Sequence, residues 1–272
     1  MLKEAYHLLT KEYTLTLATT EKDFYAVKKL RAEIFSLKYN MPPSILESKG
    51  YLFSQDDKQS FIYLLKHIPT ERYIGTVRNF FINAHTTQTL MPMQRDGNVK
   101  DINFSSYNLP ICEISRMGLS NNLLKYQNFS TLKLRTYLSL ALMIATRINA
   151  FLYQYSTIFS IMEPSLDRIL KRQQAYFEQT GKPVDYYGTC IPYAINRKKL
   201  LEETEENVGQ VTRYYLKQLC QNPEPFWQFI DNNPYLERSD IQLDRICQLF
   251  KEYGDDVDLE LLLGEKEIIT EV

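Results

Sequence analysis

Four charged residues lie within or beside apolar segments of this chain. Arg31 lies in RAEIF, Arg78 in IGTVRNFF, and Glu113 and Arg116 in ICEISRMGLS. A carboxylate in apolar surroundings can act as a general base, and an arginine can bind a carboxylate through two parallel hydrogen bonds. Charges in segments of this hydrophobicity are rarely left unpaired, so the alternative interpretation is a structural network of ion pairs that ties sheet to helix.

The segment from Ile111 to Leu119 is predicted to be a strand that carries most of this chemistry. Alternation along a strand places Glu113 and Ser115 on one face. Arg116 then faces the other way, unless a β-bulge reorients it.

The rest of the chain alternates helical and strand patterns, which predicts an α/β fold with a mixed sheet. Thr20 is predicted to cap the first helix, with Asp23 in its first turn, and Pro42-Pro43 ends that helix. A long loop is expected from Asn83 to Asn108. The other predicted helices are Phe129 to Tyr155 and Pro164 to Phe177; the other predicted strands are Thr14 to Thr19, Phe61 to Leu65, Tyr73 to Ile82, Thr157 to Met162 and Tyr187 to Ile195.

Composition and charge set limits on the protein class. The 272 residues are 44% hydrophobic and 24% charged, with a formal net charge of -1. These values predict a folded, soluble protein without a global basic field for nucleic acid. After Lys198 the pattern is helical, so we expect a domain at residues 1–199 and a helical C-terminal extension at 200–272. No apolar run is long enough to predict a transmembrane segment.

Cysteine and histidine spacing argues against a metal site. Cys112, Cys190, Cys220 and Cys247 show no CxxC spacing, which argues against zinc and against a disulfide framework. Free thiols suit a reducing cytoplasm, and the N-terminus lacks the apolar core of a signal peptide. The three histidines have no metal-binding spacing, so no metal is expected.

Taken together, RAEIF, DDKQS, YIGTVRNF and CEISRMGLS resemble the acyl-homoserine lactone synthases and the N-acyl amino acid synthases. They are also similar to acyltransferases associated with bacterial exosortase systems, all in the GCN5-related N-acetyltransferase superfamily. The resemblance covers roughly residues 13 to 196 and implies splayed central strands that open a V-shaped cleft. In two places the chain departs from the lactone synthases, since Cys112 replaces an aromatic residue and YNMPP has no tryptophan.

The resemblance implies a cytoplasmic bacterial transferase, similar to the autoinducer synthases. Its reaction would move a long fatty acyl group from an acyl carrier protein thioester to the amine of an amino acid or related small molecule. Glu113 and Arg116 match catalytic positions of the family. The positions that match substrate-binding residues are Arg31, Phe35, Asp57, Arg78 and Ser115.

The donor is predicted from an absence. Many acetyltransferases of this superfamily hold coenzyme A with a glycine-rich turn before the long helix, but SNNLLKYQNFSTLKLR contains no glycine. This favours acyl-phosphopantetheine on acyl carrier protein over acyl-CoA, with no permanently bound cofactor. An acidic carrier requires a basic docking site, for which Arg168, Lys171 and Arg172 are the candidates. A second basic group comprises Lys125, Lys133 and Arg135.

Two alternatives remain open at this point. One is a coenzyme A-dependent N-acetyltransferase, and the other is a non-catalytic, ligand-binding relative of the fold. Either basic group can also be an ordinary solvated helix face. The amine acceptor, the acyl chain length and the oligomeric state are not determined by the sequence.

Overall fold

The computed structural model describes residues 2–86, 90–122, 130–172, 175–202, 206–258 and 261–262. Its strands form one mixed sheet in the order β1-β2-β3-β4-β5-β8-β6, with the short β7 paired to β8. The strands are β1 (Tyr13–Leu17), β2 (Ser60–His67), β3 (Arg72–Ile82), β4 (Ile111–Leu119), β5 (Thr157–Met162), β6 (Glu178–Gln179), β7 (Val184–Asp185) and β8 (Thr189–Asn196).

Helices cover both faces of this sheet, so the predicted α/β class with a mixed sheet is confirmed. The segment Gln55–Gln59 adds a 3₁₀ turn before β2. The helices are α1 (Leu2–Lys11), α2 (Glu21–Tyr39), α3 (Pro43–Ser48), α4 (Pro92–Arg95), α5 (Thr131–Tyr153), α6 (Pro164–Lys171), α7 (Arg197–Glu202), α8 (Glu206–Gln221), α9 (Glu224–Asp231) and α10 (Leu243–Tyr253).

The sheet splays at its centre. β4 and β5 run parallel and pair only from Ile111 with Thr157 to Ile114 with Ser160. Beyond this point β4 continues to Leu119 and β5 to Met162, but the two strands no longer pair with each other. The two strands therefore diverge and open the V-shaped cleft that the family resemblance implies.

The two faces of the sheet have separate apolar cores. On one face, α5 packs with α1 and the C-terminal helices; on the other, α2 and α3 pack against alternate residues of β2. Tyr63 and Leu65 belong to the first core, and Ile62 and Leu64 to the second, which is the period-two pattern of a strand buried on both faces.

The cap predicted for α2 is confirmed. Thr20 Oγ1 accepts a 3.2 Å hydrogen bond from the Asp23 N–H, and Asp23 Oδ2 accepts one of 3.0 Å from the Thr20 N–H. This reciprocal pair satisfies two backbone donors that the helix start leaves open. The helix ends at Tyr39, where Asn40 adopts the left-handed conformation (φ 49°), so Pro42 lies beyond the end.

Two predicted segments differ from the structure. The helix from Pro164 was expected to reach Phe177, but α6 ends at Lys171, and Glu178–Gln179 adds a short strand beside β8. The loop from Asn83 to Asn108 contains α4, which begins at a proline as short helices often do. Glu178–Gln179 pairs with β8, and α4 contacts β4 through the Met93 N–H and Glu113.

The prediction against disulfides was wrong. Cys220 in α8 and Cys247 in α10 form a disulfide with their Cα atoms 5.1 Å apart. Spacing along the chain gave no signal, because the two cysteines meet only when these helices pack together. Cys112 and Cys190 are free and buried.

The C-terminal helices pack on the α5 face. Tyr215 of α8 donates a 2.6 Å hydrogen bond to the Leu9 carbonyl of α1, and the Gln242 N–H donates to the Leu152 carbonyl of α5 at 2.9 Å. These contacts continue the apolar core of the α5 face, and the division into two parts near residue 200 stays a prediction. No helix among the described residues is long and apolar enough to cross a membrane.

Candidate active site

A β-bulge in β4 gathers the polar residues onto one face of the sheet. Thr76 of β3 pairs with Gly118, but Arg78 pairs with Ser115, so two residues of β4 lie opposite one residue of β3. Arg116 occupies the bulge with a left-handed φ of 53°. The bulge turns the Arg116 side chain toward the segment after α3, where it donates to the Gly50 carbonyl at 2.8 Å and also to the Tyr51 carbonyl. This is the β-bulge that the sequence analysis required for Arg116 to share a face with Glu113 and Ser115.

A cavity of about 520 Å³ lies at the splay between β4 and β5. It is lined from both faces of the sheet, and this is possible because the two strands are not hydrogen-bonded there. One part of its wall is polar and carries Arg78, Glu113, Ser115 and Arg116. The apolar part comes chiefly from α5, α6 and the segment after α6, and includes Leu142, Met143, Leu166, Leu170 and Phe177.

Glu113 has the most perturbed carboxyl group in this wall. Its side chain is buried, and Oε2 accepts a 2.7 Å hydrogen bond from the Met93 N–H of α4. Burial raises the pKa of Glu113 to about 7, although the charge of Arg78 and the Met93 N–H act in the opposite direction. A carboxyl group with this pKa can accept a proton and release it again near neutral pH.

Arg78 joins Ser115 to the acidic residues before β2. Its Nε donates a 3.0 Å hydrogen bond to Ser115 Oγ. Its Nη1 lies 3.8 Å from Asp56 Oδ2 and 3.7 Å from Asp57 Oδ1, and makes no hydrogen bond. Arg78 is buried at the cavity wall, and this Nη1 lies on its inner side, near the two aspartates.

Arg31 and Asp57 pair behind the cavity. Arg31 Nη1 donates to Asp57 Oδ1 at 2.8 Å and to the Leu52 carbonyl at 3.2 Å. Burial by itself would raise the pKa of Asp57, but the charges of Arg31, Arg78 and Arg116 lower it to about 2. Among the described residues, the cavity lining includes Arg78 and Arg116 but neither Arg31 nor Asp57.

Phe35 lies in an aromatic group at the α2 side of the cavity. Its ring stacks on Tyr39 at 5.7 Å, and Tyr39 contacts Tyr51 at 5.9 Å. The Arg116 guanidinium lies 5.2 Å from the centre of the Tyr51 ring. Tyr186, from the turn between β7 and β8, also lines the cavity and lies 6.3 Å from Tyr51.

The basic cluster of α6 is exposed and turned away from the cavity. Arg168, Lys171 and Arg172 are all exposed, whereas Leu166 and Leu170 of the same helix line the cavity. Lys171 pairs with Asp167 at 2.8 Å, which partly neutralises the cluster. Of the second basic group, Lys125 falls outside the described residues, as do 123–129 of the glycine-free segment.

Several residues in this wall or behind it carried no signal in the sequence. Arg95 pairs with Asp56, and the Met93 N–H meets Glu113, but their segment showed only the polar pattern of a loop. Tyr39, Tyr51 and Tyr186 were counted among many tyrosines with no distinguishing spacing. No group of three or more potential metal ligands occurs in the part of the chain that the structure describes.

No family model matches the chain, and no curated protein does. Solved structures that resemble it include FeeM, an N-acyl amino acid synthase from uncultured soil microbes, at 12% identity and a TM-score of 0.49 over 71% of this chain and 94% of that one. The acyl-homoserine lactone synthase LasI is similar at 11% identity and a TM-score of 0.46, covering 71% of this chain and 96% of that one. Escherichia coli ElaA is similar at 13% identity and a TM-score of 0.43, covering 67% of this chain and 97% of that one.

Proposed function

We propose that the protein is an N-acyltransferase that moves a fatty acyl group from a thioester to the amine of an amino acid or related small molecule. The observation that carries this proposal is the position of Glu113, whose pKa is raised to about 7, in the wall of a cavity that is polar on one side and apolar on the other. Such a cavity suits a reaction between a polar amine and an acyl chain.

In this reaction the amine nitrogen attacks the thioester carbonyl carbon. Glu113 takes a proton from the attacking ammonium, directly or through one water, since only the neutral amine carries a lone pair. The tetrahedral intermediate then breaks its C–S bond while its nitrogen gives up a second proton. The products are the amide and a thiolate, which takes up that proton to become the free thiol. Backbone N–H groups of β4 between Arg116 and Gly118, beyond its pairing with β5, are the proposed donors to the oxyanion.

The acceptor is proposed to lie on the α2 side. Arg78 and Arg116 both line the cavity, and their guanidinium groups are the proposed charged donors to an acceptor carboxylate. Ser115 orients Arg78, while Arg31 and Asp57 fix the arrangement from behind. Phe35 contributes an apolar surface next to them.

The acyl chain is proposed to lie on the opposite side, among Leu142, Met143, Leu170 and Phe177. These four side chains are buried and line the cavity. Each CH₂ group moved from water into such a surface contributes about 0.8 kcal/mol, so a long chain gains affinity with each carbon that fits.

The donor is proposed to be acyl carrier protein, which docks on Arg168, Lys171 and Arg172. The proposal rests on the absence of glycine from SNNLLKYQNFSTLKLR and on the exposure of this basic cluster on α6, a helix whose other side lines the cavity. The reaction would then need no metal and no permanently bound cofactor, and cytoplasm is the proposed compartment.

A donor panel tests this function. The purified protein is incubated with a mixture of amino acids and with acetyl to palmitoyl thioesters of acyl carrier protein or coenzyme A, and the amides are detected by mass spectrometry. We expect long-chain amides from the carrier-bound donors. Faster transfer from coenzyme A thioesters would overturn the proposed donor and favour the acetyltransferase alternative. No amide from any donor would favour a non-catalytic relative.

A further inference from the structure

One wall of the cavity is formed by a short segment that the sequence predicted as loop. The α4 segment, defined here as Met91 to Gly97, places the N–H of Met93 2.7 Å from Glu113 Oε2. Pro92 and Met93 line the cavity, and the Met91 and Met93 side chains are buried. This segment therefore supplies the backbone donor that contacts the proposed base.

Arg95 attaches the α4 segment to the acidic turn before β2. Its Nη1 donates to Asp56 Oδ1 at 3.1 Å and its Nη2 to Asp56 Oδ2 at 2.5 Å, which is the two-pronged geometry of a strong arginine–carboxylate pair. Asp96 binds the other edge of the Arg95 guanidinium, where Arg95 Nε donates to Asp96 Oδ1 at 2.7 Å. The Asp56 side chain is buried, so Arg95 reaches inward from the surface to meet it.

The fit of this segment leaves little room for it to shift. A Cβ added at Gly97 would lie 2.7 Å from the Met93 carbonyl oxygen and 3.0 Å from Ile161 Cδ1 of β5. The segment is thus packed against β5 on one side and tied to Asp56 on the other. The attachment to Asp56 is made by the Arg95 side chain.

We propose that Arg95 is a positioning residue, whose fork on Asp56 holds the α4 segment so that the Met93 N–H stays on the Glu113 carboxylate. The role in catalysis rests on the proposed function, but the effect on Glu113 does not. Arg95 also offsets the charge of Asp56, whose Oδ2 lies 3.8 Å from Arg78 Nη1.

Several groups face Glu113 and set the direction of the effect. Arg78 of β3 and the Met93 N–H favour its charged form, Ser115 of the same strand does so too, and Asp56 disfavours it. Cys112 of the same strand and Tyr186 from the β7–β8 turn interact with it electrostatically, and Arg116 lies on the same face. Removal of Arg95 loosens the hydrogen bond from the Met93 N–H to Glu113. It also leaves Asp56 to compete with Glu113 for the charge of Arg78. Both changes disfavour the charged form of Glu113 and therefore raise its pKa.

The test compares Arg95→Met with Arg238→Met. Arg238 forms a similar two-pronged pair with Asp231, at 2.7 and 2.6 Å, on the exposed side of the C-terminal helices. The pKa of Glu113 is measured by ¹³C NMR of labelled glutamate carboxyl groups, with its signal assigned by its loss in Glu113→Gln. We expect Arg95→Met to raise this pKa by about one unit or more, since a hydrogen bond to a charged group is lost.

The remaining outcomes are distinguishable. Arg95→Lys keeps the charge without the fork, so an intermediate shift is expected, and this variant serves if Arg95→Met does not fold. An unchanged Glu113 pKa in the folded Arg95 variants would overturn the proposal, as would an equal shift in Arg238→Met. If the enzyme transfers acyl groups, the pH at which kcat/KM is half-maximal moves upward with the NMR value. If it does not, the NMR result still decides the inference.

Discussion

Arg31 Nη1 lies 2.8 Å from Asp57 Oδ1, and neither side chain has any exposed surface. An ion pair buried this deeply costs a large desolvation energy, which geometry and further hydrogen bonds must offset. Asp57 Oδ2 also accepts a 2.7 Å hydrogen bond from the Ser54 N–H, so the carboxylate is held on both oxygens. The pair therefore fixes the 3₁₀ turn that carries Asp56 and Asp57 against α2.

Asp57→Asn is expected to lower the free energy of unfolding by about 3–5 kcal/mol, because it leaves the Arg31 charge buried and unpaired. The folded-state pKa of Asp57 is lowered to about 2 from a reference value of 3.8. Its stabilising contribution is therefore full above about pH 4 and is lost as the pH falls toward 2. Urea unfolding measures the change, with Asp231→Asn as the exposed control. Equal effects of the two variants would contradict a special role for the buried pair.

Glu113→Gln is expected to lower the rate of amide formation by about two to four orders of magnitude, since it removes the proposed general base. In the parent enzyme, kcat/KM should rise with pH through about 7, where Glu113 loses its proton, and then level off. Glutamine can still accept from the Met93 N–H, so the fold should be retained. Near-full turnover by the variant at neutral pH would exclude Glu113 as the base.

An Arg→Lys series tests which arginines bind the acceptor and which support the structure. Arg78 and Arg116 line the cavity, so lysine at either position should raise the acceptor KM roughly tenfold or more, because the forked donor is lost. Arg31 lies behind the wall, and Arg31→Lys should reduce stability with little change in KM. Unchanged KM values in all three variants would mean that these arginines form a structural network of ion pairs and do not bind the acceptor.

Arg168→Glu combined with Arg172→Glu is expected to slow transfer from acyl carrier protein, most clearly at low ionic strength. Contacts between exposed charges act mainly on the rate of encounter and are screened by salt. Transfer from free acyl-pantetheine should be almost unchanged. The matched control reverses Lys22 and Lys29, which are exposed on the N-terminal half of α2. Equal slowing by both double variants would indicate a general charge effect rather than docking on α6.

Replacement of Cys220 and Cys247 by serine is expected to lower the free energy of unfolding by about 3–4 kcal/mol, the loop-closure value for a bridge of this span. The two cysteines are 27 residues apart and tie α8 to α10. A reducing agent should lower the stability of the parent protein by a similar amount and leave the serine variant unchanged. A parent protein insensitive to the reducing agent would contradict this contribution.

Much of the fold follows from local patterns in the sequence. The β4 and β5 boundaries agree with the predicted segments Ile111 to Leu119 and Thr157 to Met162, because alternation and flanking prolines mark buried strands. Thr20 and Asp23 specify the start of α2 through neighbouring atoms alone. The candidate residues Glu113, Ser115 and Arg116 were likewise visible, since charges in an apolar strand are conspicuous.

The tertiary structure decided how these residues meet. The bulge at Arg116 arises from the pairing of β4 with β3, and no residue type in the strand predicts its position. Met93 reaches Glu113 across 20 positions, and Arg95 reaches Asp56 across 39, because β3 and β4 bring distant segments together. Cys220 and Cys247 meet for the same reason. Sequence patterns report neighbours along the chain, whereas these contacts depend on which elements pack side by side.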